Sequence, residues 1–215
     1  DTLGAVAVSL LSINRVVETN GIVHYGDLPQ LSRFQEVQDF SDRLVELSDN
    51  VLSEIVIGEY AVQDTGSSKR GTYQEKYVGF PDDFDLMVKL SGKPLNDQAI
   101  LDFAGKFALN LQNDGLLKVI NDHEPFNVEA ENFIFRRDNR ALIKVKVFRA
   151  GEKHVPVFSV DINFFSGEAG ADGMRYQKKF WQNMDTLLSK ISPQNKGAAT
   201  QHILSVIRSL KAVFK

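Results

Sequence analysis

The sequence predicts an α/β (α+β) protein with a mixed, mostly antiparallel twisted sheet that is flanked by helices. One observation is a helical pattern in residues 31–55, where apolar residues recur at steps of three and four. A second is a series of short apolar or alternating segments separated by glycine and proline, as strands usually are. With 215 residues, 43% of them apolar, the chain is long enough for one sizeable core, or for a core and part of a second lobe.

The first part of the chain is predicted to be mainly helical. A short helix over residues 3–18 ends in a turn, and a long amphipathic helix over residues 31–55 follows it. Asp27 or Ser32 is expected to cap the start of the long helix, and Gly58 is expected to end it. The apolar stripe of this helix consists of Leu31, Phe34, Val37, Phe40, Leu44, Leu47, Val51 and Ile55.

The next part is predicted to begin the sheet. A strand over residues 60–63 leads into a turn of small residues at 66–72. The strand over residues 83–90 alternates polar and apolar side chains, which indicates that one of its faces is buried. A second helix is expected to start at Asn96 or Asp97, since either residue can cap it.

The remaining part is predicted to complete the sheet and to return to helices. Its segments are strands at 132–136, 141–148 and 155–165, a glycine-rich loop at 167–173, a helix at 175–191 and a linker at 192–197. The final helix has one apolar face that needs a partner, either the first helix or a lobe outside this chain. We therefore divide the sequence into a core with N-terminal spine helices, residues 1–191, and the first helix of a truncated helical lobe, residues 198–215.

Composition excludes several kinds of site. The chain has no cysteine, which rules out disulfides, thiolate zinc sites and cysteine nucleophiles. Its four histidines lack the spacing of metal ligands, so structural or surface roles are expected. The formal net charge of −3 gives no field of one sign that favours or opposes nucleic acid. No segment approaches the roughly 20 apolar residues that a membrane span requires, so we expect no membrane partner. The absence of cysteine agrees with a cytoplasmic, intracellular location.

Gly66 and Ser67, which follow a predicted strand, are the first candidate for a phosphate-binding site. Backbone N–H groups in such a turn can converge on phosphate oxygens, glycine allows the required backbone angles, and the serine hydroxyl adds a donor. Ser68, Lys69 and Thr72 lie in the same turn and are further candidates for binding a nucleoside triphosphate. Taken alone, the motif is a weak signal, because Gly-Ser pairs also occur in ordinary loops.

Asp83, Asp85 and Asp161 are the candidate catalytic residues. Side chains two apart on a strand point the same way, so Asp83 and Asp85 project together and repel each other unless cations lie between them. Hard oxygen ligands of this kind suit Mg²⁺ or Mn²⁺. Asp161 lies in the middle of an apolar strand and completes a three-carboxylate cluster if the two strands are neighbours. The alternatives are a solvated strand end for the pair and a half-exposed aspartate for Asp161.

The order of these motifs resembles that of the DNA polymerase β-like nucleotidyltransferases. Within that superfamily, residues 66–90 resemble cyclic GMP–AMP synthase and its relatives, through a Tyr-x-Glu at 73–75 and a Pro-x-acid-Phe-Asp-x-Met pattern at 81–87. The Ser-Val-Asp at 159–161 resembles that family's third-carboxylate strand. Residues 68–72 are nearer to the Gly-Ser-x-x-x-Gly-Thr motif of oligoadenylate synthetases and archaeal CCA-adding enzymes.

The resemblance implies a polymerase β-like core that transfers a nucleoside monophosphate from a nucleoside triphosphate to a ribose hydroxyl, making a cyclic or linear oligonucleotide signal. It also implies that Asp83, Asp85 and Asp161 hold two Mg²⁺ or Mn²⁺ ions, and that Gly66 and Ser67 hold the triphosphate. RNA tailing of the CCA or poly(A) type, modification of a protein, and an inactive nucleotide-binding module are open alternatives. A nucleic acid is a further expected partner, as activator or acceptor.

Basic residues supply candidate contacts for phosphate or nucleic acid. Arg70 lies beside the candidate phosphate turn, and Lys144 and Lys146 alternate with valines on the predicted wet face of the sheet. A basic-aromatic cluster consists of Arg175, Lys178, Lys179 and Trp181. This cluster is either a nucleic-acid surface or a solvated helix face. The zinc insertion that the vertebrate cyclic GMP–AMP synthase uses to contact DNA needs cysteines, so that device is excluded.

Overall fold

The computed structural model of the chain describes residues 12–21, 31–137, 139–167 and 169–213, with the backbone alone for 169–177. Six strands form one sheet in the order β1-β2-β6-β5-β3, with the short β4 also paired to β5. Their bounds are β1 (Tyr60–Thr65), β2 (Asp83–Leu90), β3 (Phe126–Ala130), β4 (Phe135–Arg137), β5 (Arg140–Arg149) and β6 (Phe158–Ser166). Only β2 and β6 pair in parallel, so the prediction of a mixed, mostly antiparallel sheet is confirmed.

The helices lie around this sheet. Within the described residues they are α1 (12–18), α2 (Phe34–Ile55), α3 (Gly66–Arg70), α4 (Asp97–Asn113), α5 (Ala169–Leu188) and α6 (Lys196–Val213). Short 3-10 turns cover Leu116–Val119 and Pro193–Asn195. None of these described helices combines the length and the hydropathy that crossing a bilayer would take.

The main hydrophobic core lies between one face of the sheet and the helices α2 and α4. Phe40 of α2 packs against Phe84 of β2 and Phe158 of β6, with ring centroids 5.0 and 5.6 Å away. Phe103 of α4 meets Phe164 of β6 edge to face at 5.3 Å. Aromatic contacts of this geometry add to the free energy of burial, so the same elements that hold the core also hold β2 beside β6.

A second, smaller core joins α1, α5 and α6. Its buried members are Val16, Met184, Leu188, Ile191, Ala199, Ile203 and Leu204. The Ser12 hydroxyl also lies 2.7 Å from His202 Nε2, across the α1–α6 contact. The apolar face of the final helix therefore has its partner within the chain, in α1 and α5.

Several predicted boundaries differ from the structure. The turn predicted at 66–72 is instead the short helix α3, which Gly71 ends in a left-handed conformation with φ +67°. The glycine-rich loop predicted at 167–173 is wrong, since α5 begins at Ala169 and contacts β6 and β2. That packing outweighs the low helix propensity of glycine, which is worth only about 1 kcal/mol per residue.

The structure confirms one predicted helix cap, contradicts another and shortens one predicted strand. Asn96 caps α4, as predicted, by accepting the Ala99 N–H at 2.8 Å. Ser32 does not cap α2, because its hydroxyl donates to Glu75 Oε1 at 2.8 Å. Asp27 and the first part of the helix predicted at 3–18 lie outside the described residues. The strand predicted at 132–136 is reduced to β4, and β3 before it was missed, since only pairing with β5 orders these short segments.

Candidate functional site

The three predicted aspartates lie on the polar face of the sheet, opposite the core. Asp85 of β2 is the direct partner of Asp161 in the parallel β2–β6 pair, and Asp83 is the partner of Ser159. Asp161 is in turn the direct partner of Lys144 on β5. Directly paired residues project to the same side of a sheet, so the structure brings the three acids to one face.

The alternation of the two strands is what turns these acids outward. Phe84 and Leu86 of β2 are fully buried in the core, and so are Val160 and Ile162 of β6. Because side chains alternate along a strand, their neighbours Asp83, Asp85 and Asp161 must occupy the other face. Moving either strand by one residue would bury acids and expose aromatic and branched side chains, so the register is strongly determined.

Burial and like charges disfavour ionisation of the two carboxyl groups on β2. Burial raises the pKa of Asp83 to about 6, with further contributions from the charges of Asp85, Asp82 and Asp161. Burial also raises the pKa of Asp85, and the Asp161 charge acts in the same direction. The carboxylates are therefore close enough to repel one another, which is the situation that a divalent cation relieves.

Asp161 has partners that hold its carboxylate toward β5. Ser159 donates its hydroxyl to Asp161 Oδ1 at 3.0 Å, and Lys144 Nζ lies 2.5 Å from Asp161 Oδ2. Since β6 lies between β2 and β5, Lys144 is on the side of Asp161 opposite to Asp85. In the described part of the chain no three acidic or histidine side chains are gathered closely enough to hold a metal ion. The donor set suits Mg²⁺ or Mn²⁺ in kind.

Gly66 lies directly against the Asp85 carboxylate. Its φ of +75° is in the left-handed region, and a Cβ atom placed on it would stand 1.8 Å from Asp85 Oδ2 and 2.8 Å from Asp85 Cβ. Thr65, at the end of β1, is the direct partner of Asp85, which explains the close approach. Glycine is thus required at position 66 both for its backbone angle and for space. Ser67 follows it at the start of α3, half-buried.

Three other residues predicted to bind the triphosphate make their described contacts with residues other than Asp83, Asp85 and Asp161. Ser68 is buried, and its carbonyl accepts a hydrogen bond from Gln38 of α2 at 2.8 Å. Lys69 pairs with Asp64 at 3.0 Å and, more weakly, with Asp42. Thr72 is also buried, and Lys211 Nζ donates to its hydroxyl at 3.4 Å. No described contact of these three side chains reaches Asp83, Asp85 or Asp161. Gly66 is the predicted binding residue that the structure brings against Asp85, and Ser67 is next to it in α3.

Three cations from two elements, α3 and β5, lie near the acids. The positive charges of Arg70, Lys144 and Arg140 all lower the pKa of Asp85, which offsets part of the effect of burial. Arg70 lies at the end of α3, with its guanidinium 5.4 Å from the centroid of the Phe180 ring on α5. Lys144 was predicted only as part of the wet face and Arg140 was not singled out. Their proximity to the acids follows from the β5–β6 register, which the sequence does not display.

The basic-aromatic cluster on α5 lies in part on the surface. Lys178 and Lys179 are exposed, and Trp181 retains 36% of its accessible area. The Arg175 side chain lies outside the described residues. The arrangement agrees with a solvated helix face and equally with a nucleic-acid surface, so both predictions for this cluster stand.

Comparisons with protein-family models, with curated proteins and with solved structures find no match to this chain. The chemistry of the polar sheet face is therefore the basis for a functional hypothesis. Its parts are three acids, the Gly66–Ser67 backbone and the surrounding cations, all placed by the pairing of β1, β2, β6 and β5.

Replacing Asp83 with asparagine is expected to stabilise the protein in metal-free buffer at pH 8. The substitution removes a charge that burial and neighbouring acids disfavour, and after allowance for solvent screening we expect a gain of about 1–2 kcal/mol. For a chain of this length that corresponds to a rise in Tm of roughly 2–6 °C, measured by differential scanning calorimetry. Asp102→Asn on the exposed side of α4 is the control and should leave Tm within about 1 °C. A fall in the Tm of Asp83→Asn would contradict the mutual repulsion of these acids.

Proposed function

We propose that this chain is a metal-dependent nucleotidyltransferase. It transfers a nucleoside monophosphate from a nucleoside triphosphate to a ribose hydroxyl, and its product is a cyclic or linear oligonucleotide signal. The observation that carries the proposal is the position of Asp85, between the Gly66 backbone on one side and the in-register Asp161 on the other. On an ordinary solvated sheet face, we would not expect a glycine with positive φ in close contact with a half-buried acid.

The residues of this face divide into two roles. Asp83, Asp85 and Asp161 are the residues that would hold Mg²⁺ or Mn²⁺, since carboxylates are the oxygen donors these ions prefer. Gly66 and Ser67 would orient the triphosphate beside them through backbone N–H groups and the serine hydroxyl. Arg70 and Arg140 add positive charge on the same side, which favours a polyanionic substrate.

The transfer step requires little covalent chemistry from the protein. The oxygen of a ribose hydroxyl forms a bond to the α-phosphorus, the bond between that phosphorus and the bridging oxygen to the β-phosphate breaks, and pyrophosphate leaves. Asp161 would accept the hydroxyl proton once its carboxylate is free of Lys144. Two bound metal ions would screen the phosphate charge and lower the pKa of the attacking hydroxyl. The remaining rate enhancement would come from positioning and charge neutralisation by this face.

The ion pair between Lys144 and Asp161 favours one competing function. If it persists with nucleotide bound, Asp161 stays turned toward β5 and the chain acts as a nucleotide-binding module without turnover. RNA tailing and protein modification share the same carboxylate chemistry and differ only in the acceptor. The three possibilities are separated by product formation and by its dependence on an acceptor.

The direct test is incubation of the protein with the four nucleoside triphosphates and Mg²⁺ or Mn²⁺, followed by chromatography and mass spectrometry. We expect pyrophosphate release and a dinucleotide or longer product without added acceptor, and neither after chelation of the metal. Products only with RNA or a protein acceptor would support the corresponding alternative. Thermal stabilisation by a triphosphate without any product would overturn the proposed enzyme and leave a binding module.

A further inference from the structure

The polar face of the sheet continues beyond the carboxylates into an edge of exposed aromatic and basic side chains. This edge strip consists of Phe133, Phe135, Arg137 and Arg140. In the β4–β5 pair, Phe135 lies opposite Leu142 and Arg137 lies opposite Arg140. The strip therefore runs along the edge formed by β4 and the start of β5.

Alternation along β4 places Phe135 and Arg137 of the strip on the same face as the acids. Ile134 packs against the main core, and Arg136 donates from Nε to Asp97 Oδ1 of α4 at 2.6 Å, so both point to the core side. Phe135 and Arg137 flank Arg136 within β4 and therefore point to the polar side. The exposed Phe133 precedes the strand. Leu142 agrees with this, because it is paired with Asn163, two residues along β6 from Asp161.

The two phenylalanines are unusually exposed for rings of their size. Phe133 retains 68% and Phe135 50% of its accessible area, while the rings of β2 and β6 that face the core are buried. Single exposed apolar residues are common on protein surfaces, but two exposed rings two residues apart beside two exposed arginines form a patch. Arg140 is held in place, since its Nε donates to Asn163 Oδ1 at 2.9 Å and its guanidinium lies 5.7 Å from the Phe165 ring.

The strip is close to the acids and carries the opposite charge to a nucleic acid. Phe135 is two strands away from Asp161 across the sheet and two residues away along the strand direction. For ordinary strand spacings this separation is about 12 Å. Exposed rings offer surfaces on which bases stack, and arginines contact phosphates and also stack. A single strand has its bases free for stacking, whereas a duplex hides them.

We propose that the edge strip binds a single-stranded nucleic acid, with Phe133 and Phe135 stacking on bases and Arg137 and Arg140 contacting phosphates. The proposal deepens the nucleotidyltransferase hypothesis and rests on it in one respect, that the strand so held presents its terminal ribose hydroxyl to the acids. The binding itself requires neither metal nor triphosphate. It can therefore be measured separately from transfer.

The test is fluorescence anisotropy of labelled single strands of eight nucleotides, as oligoadenylate RNA and oligothymidylate DNA, titrated with the full chain in EDTA. Phe133→Leu combined with Phe135→Leu keeps the apolar character and removes the aromatic rings, and we expect the Kd to rise about 10-fold or more. Phe135→Trp alone should retain binding. Leu109→Ala, at another exposed apolar residue on α4, is the matched control and should leave the Kd unchanged.

The arginines are tested through the salt dependence of the same titration. Arg137→Ala combined with Arg140→Ala should reduce the magnitude of the slope of log K against log salt by about 1.4, that is about 0.7 for each phosphate that an arginine no longer neutralises. Lys153→Ala, an exposed lysine in the turn between β5 and β6, is the charge control and should leave the slope unchanged. A slope that is the same in the arginine variant and in the wild type would overturn the proposed binding of phosphates by these arginines.

The outcomes for the strip and for the proposed function are distinguishable. Wild-type protein that binds the single strands but shows no transfer activity supports the strip and overturns only the enzyme. Asp85→Asn should bind the single strands as the wild type does, because this binding requires no metal. Transfer between free nucleotides with no binding of either single strand overturns only the strip. Binding unaffected by the leucine pair, or stronger binding of a duplex of equal length, also overturns it. Tm values of the variants within a few degrees of the wild type show that the fold is retained.

Discussion

Asp85→Asn is expected to reduce nucleotidyl transfer by at least about a thousandfold. The substitution keeps the size of the side chain but removes a carboxylate oxygen donor between Gly66 and Asp161, at a cost of several kcal/mol in transition-state stabilisation. Because burial and Asp161 disfavour the charged form of Asp85, the neutral side chain should not lower the stability of the metal-free protein. Steady-state pyrophosphate release and calorimetry measure the two effects separately.

The control for this substitution is Asp102→Asn, which changes an exposed acid on α4, a helix that packs on the opposite face of the sheet. It should retain full activity. Activity of Asp85→Asn within severalfold of the wild type would remove Asp85 from the site and with it the assignment of the face. A large loss of both activity and Tm would mean that Asp85 is a structural residue.

Gly66→Ala is expected to impair both transfer and folding. A left-handed backbone costs a non-glycine residue about 1–2 kcal/mol, and the added methyl would stand 2.8 Å from Asp85 Cβ, which rotation of the Asp85 carboxylate cannot relieve. We expect a loss of stability of about 2–3 kcal/mol, a fall in Tm of roughly 4–10 °C, and transfer reduced at least about a hundredfold. Calorimetry measures the loss of stability. Pyrophosphate release at a temperature well below the lowered Tm measures the loss of transfer.

Gly105→Ala is the matched control for the glycine substitution. Gly105 lies within α4 with a helical backbone, and nothing stands within 4 Å of the position its Cβ would take. Alanine there should stabilise the helix by up to about 1 kcal/mol and leave transfer unchanged. If Gly66→Ala behaves like Gly105→Ala, the close contact between the Gly66 backbone and Asp85 has no functional meaning.

Much of the fold was predictable because its signals are local. The bounds of β2 agree with the predicted strand, since alternation over 83–90 is long and ends at a clear break. The sequence signals for the Asn96 cap of α4 and for the long apolar stripe of α2 are equally local. The start of α5 was not predicted, because its glycines favour a loop locally and only its contacts with β6 and β2 favour the helix.

The candidate site was predictable in its acids but not in its cations. Asp83 and Asp85 stand out as charges in an apolar strand, and Asp161 stands out for the same reason. Lys144 looks like any lysine of a wet sheet face until β5 is paired with β6. Lys69 lies beside the glycine turn in sequence, and its pairing with Asp64 is visible only in the structure.

By itself, the sequence determined which side chains share a face within each strand. Phe84 and Leu86 must be buried, so Asp83 and Asp85 must point away from the core, and the same reasoning holds for Asp161 between Val160 and Ile162. Only the tertiary structure decided that Asp85 is level with Asp161, that Asp161 is level with Lys144, and that Gly66 rests on Asp85. The reason is that alternation is a property of one strand, whereas register and strand order depend on pairing between different segments, which for Asp85 and Asp161 lie about 75 residues apart.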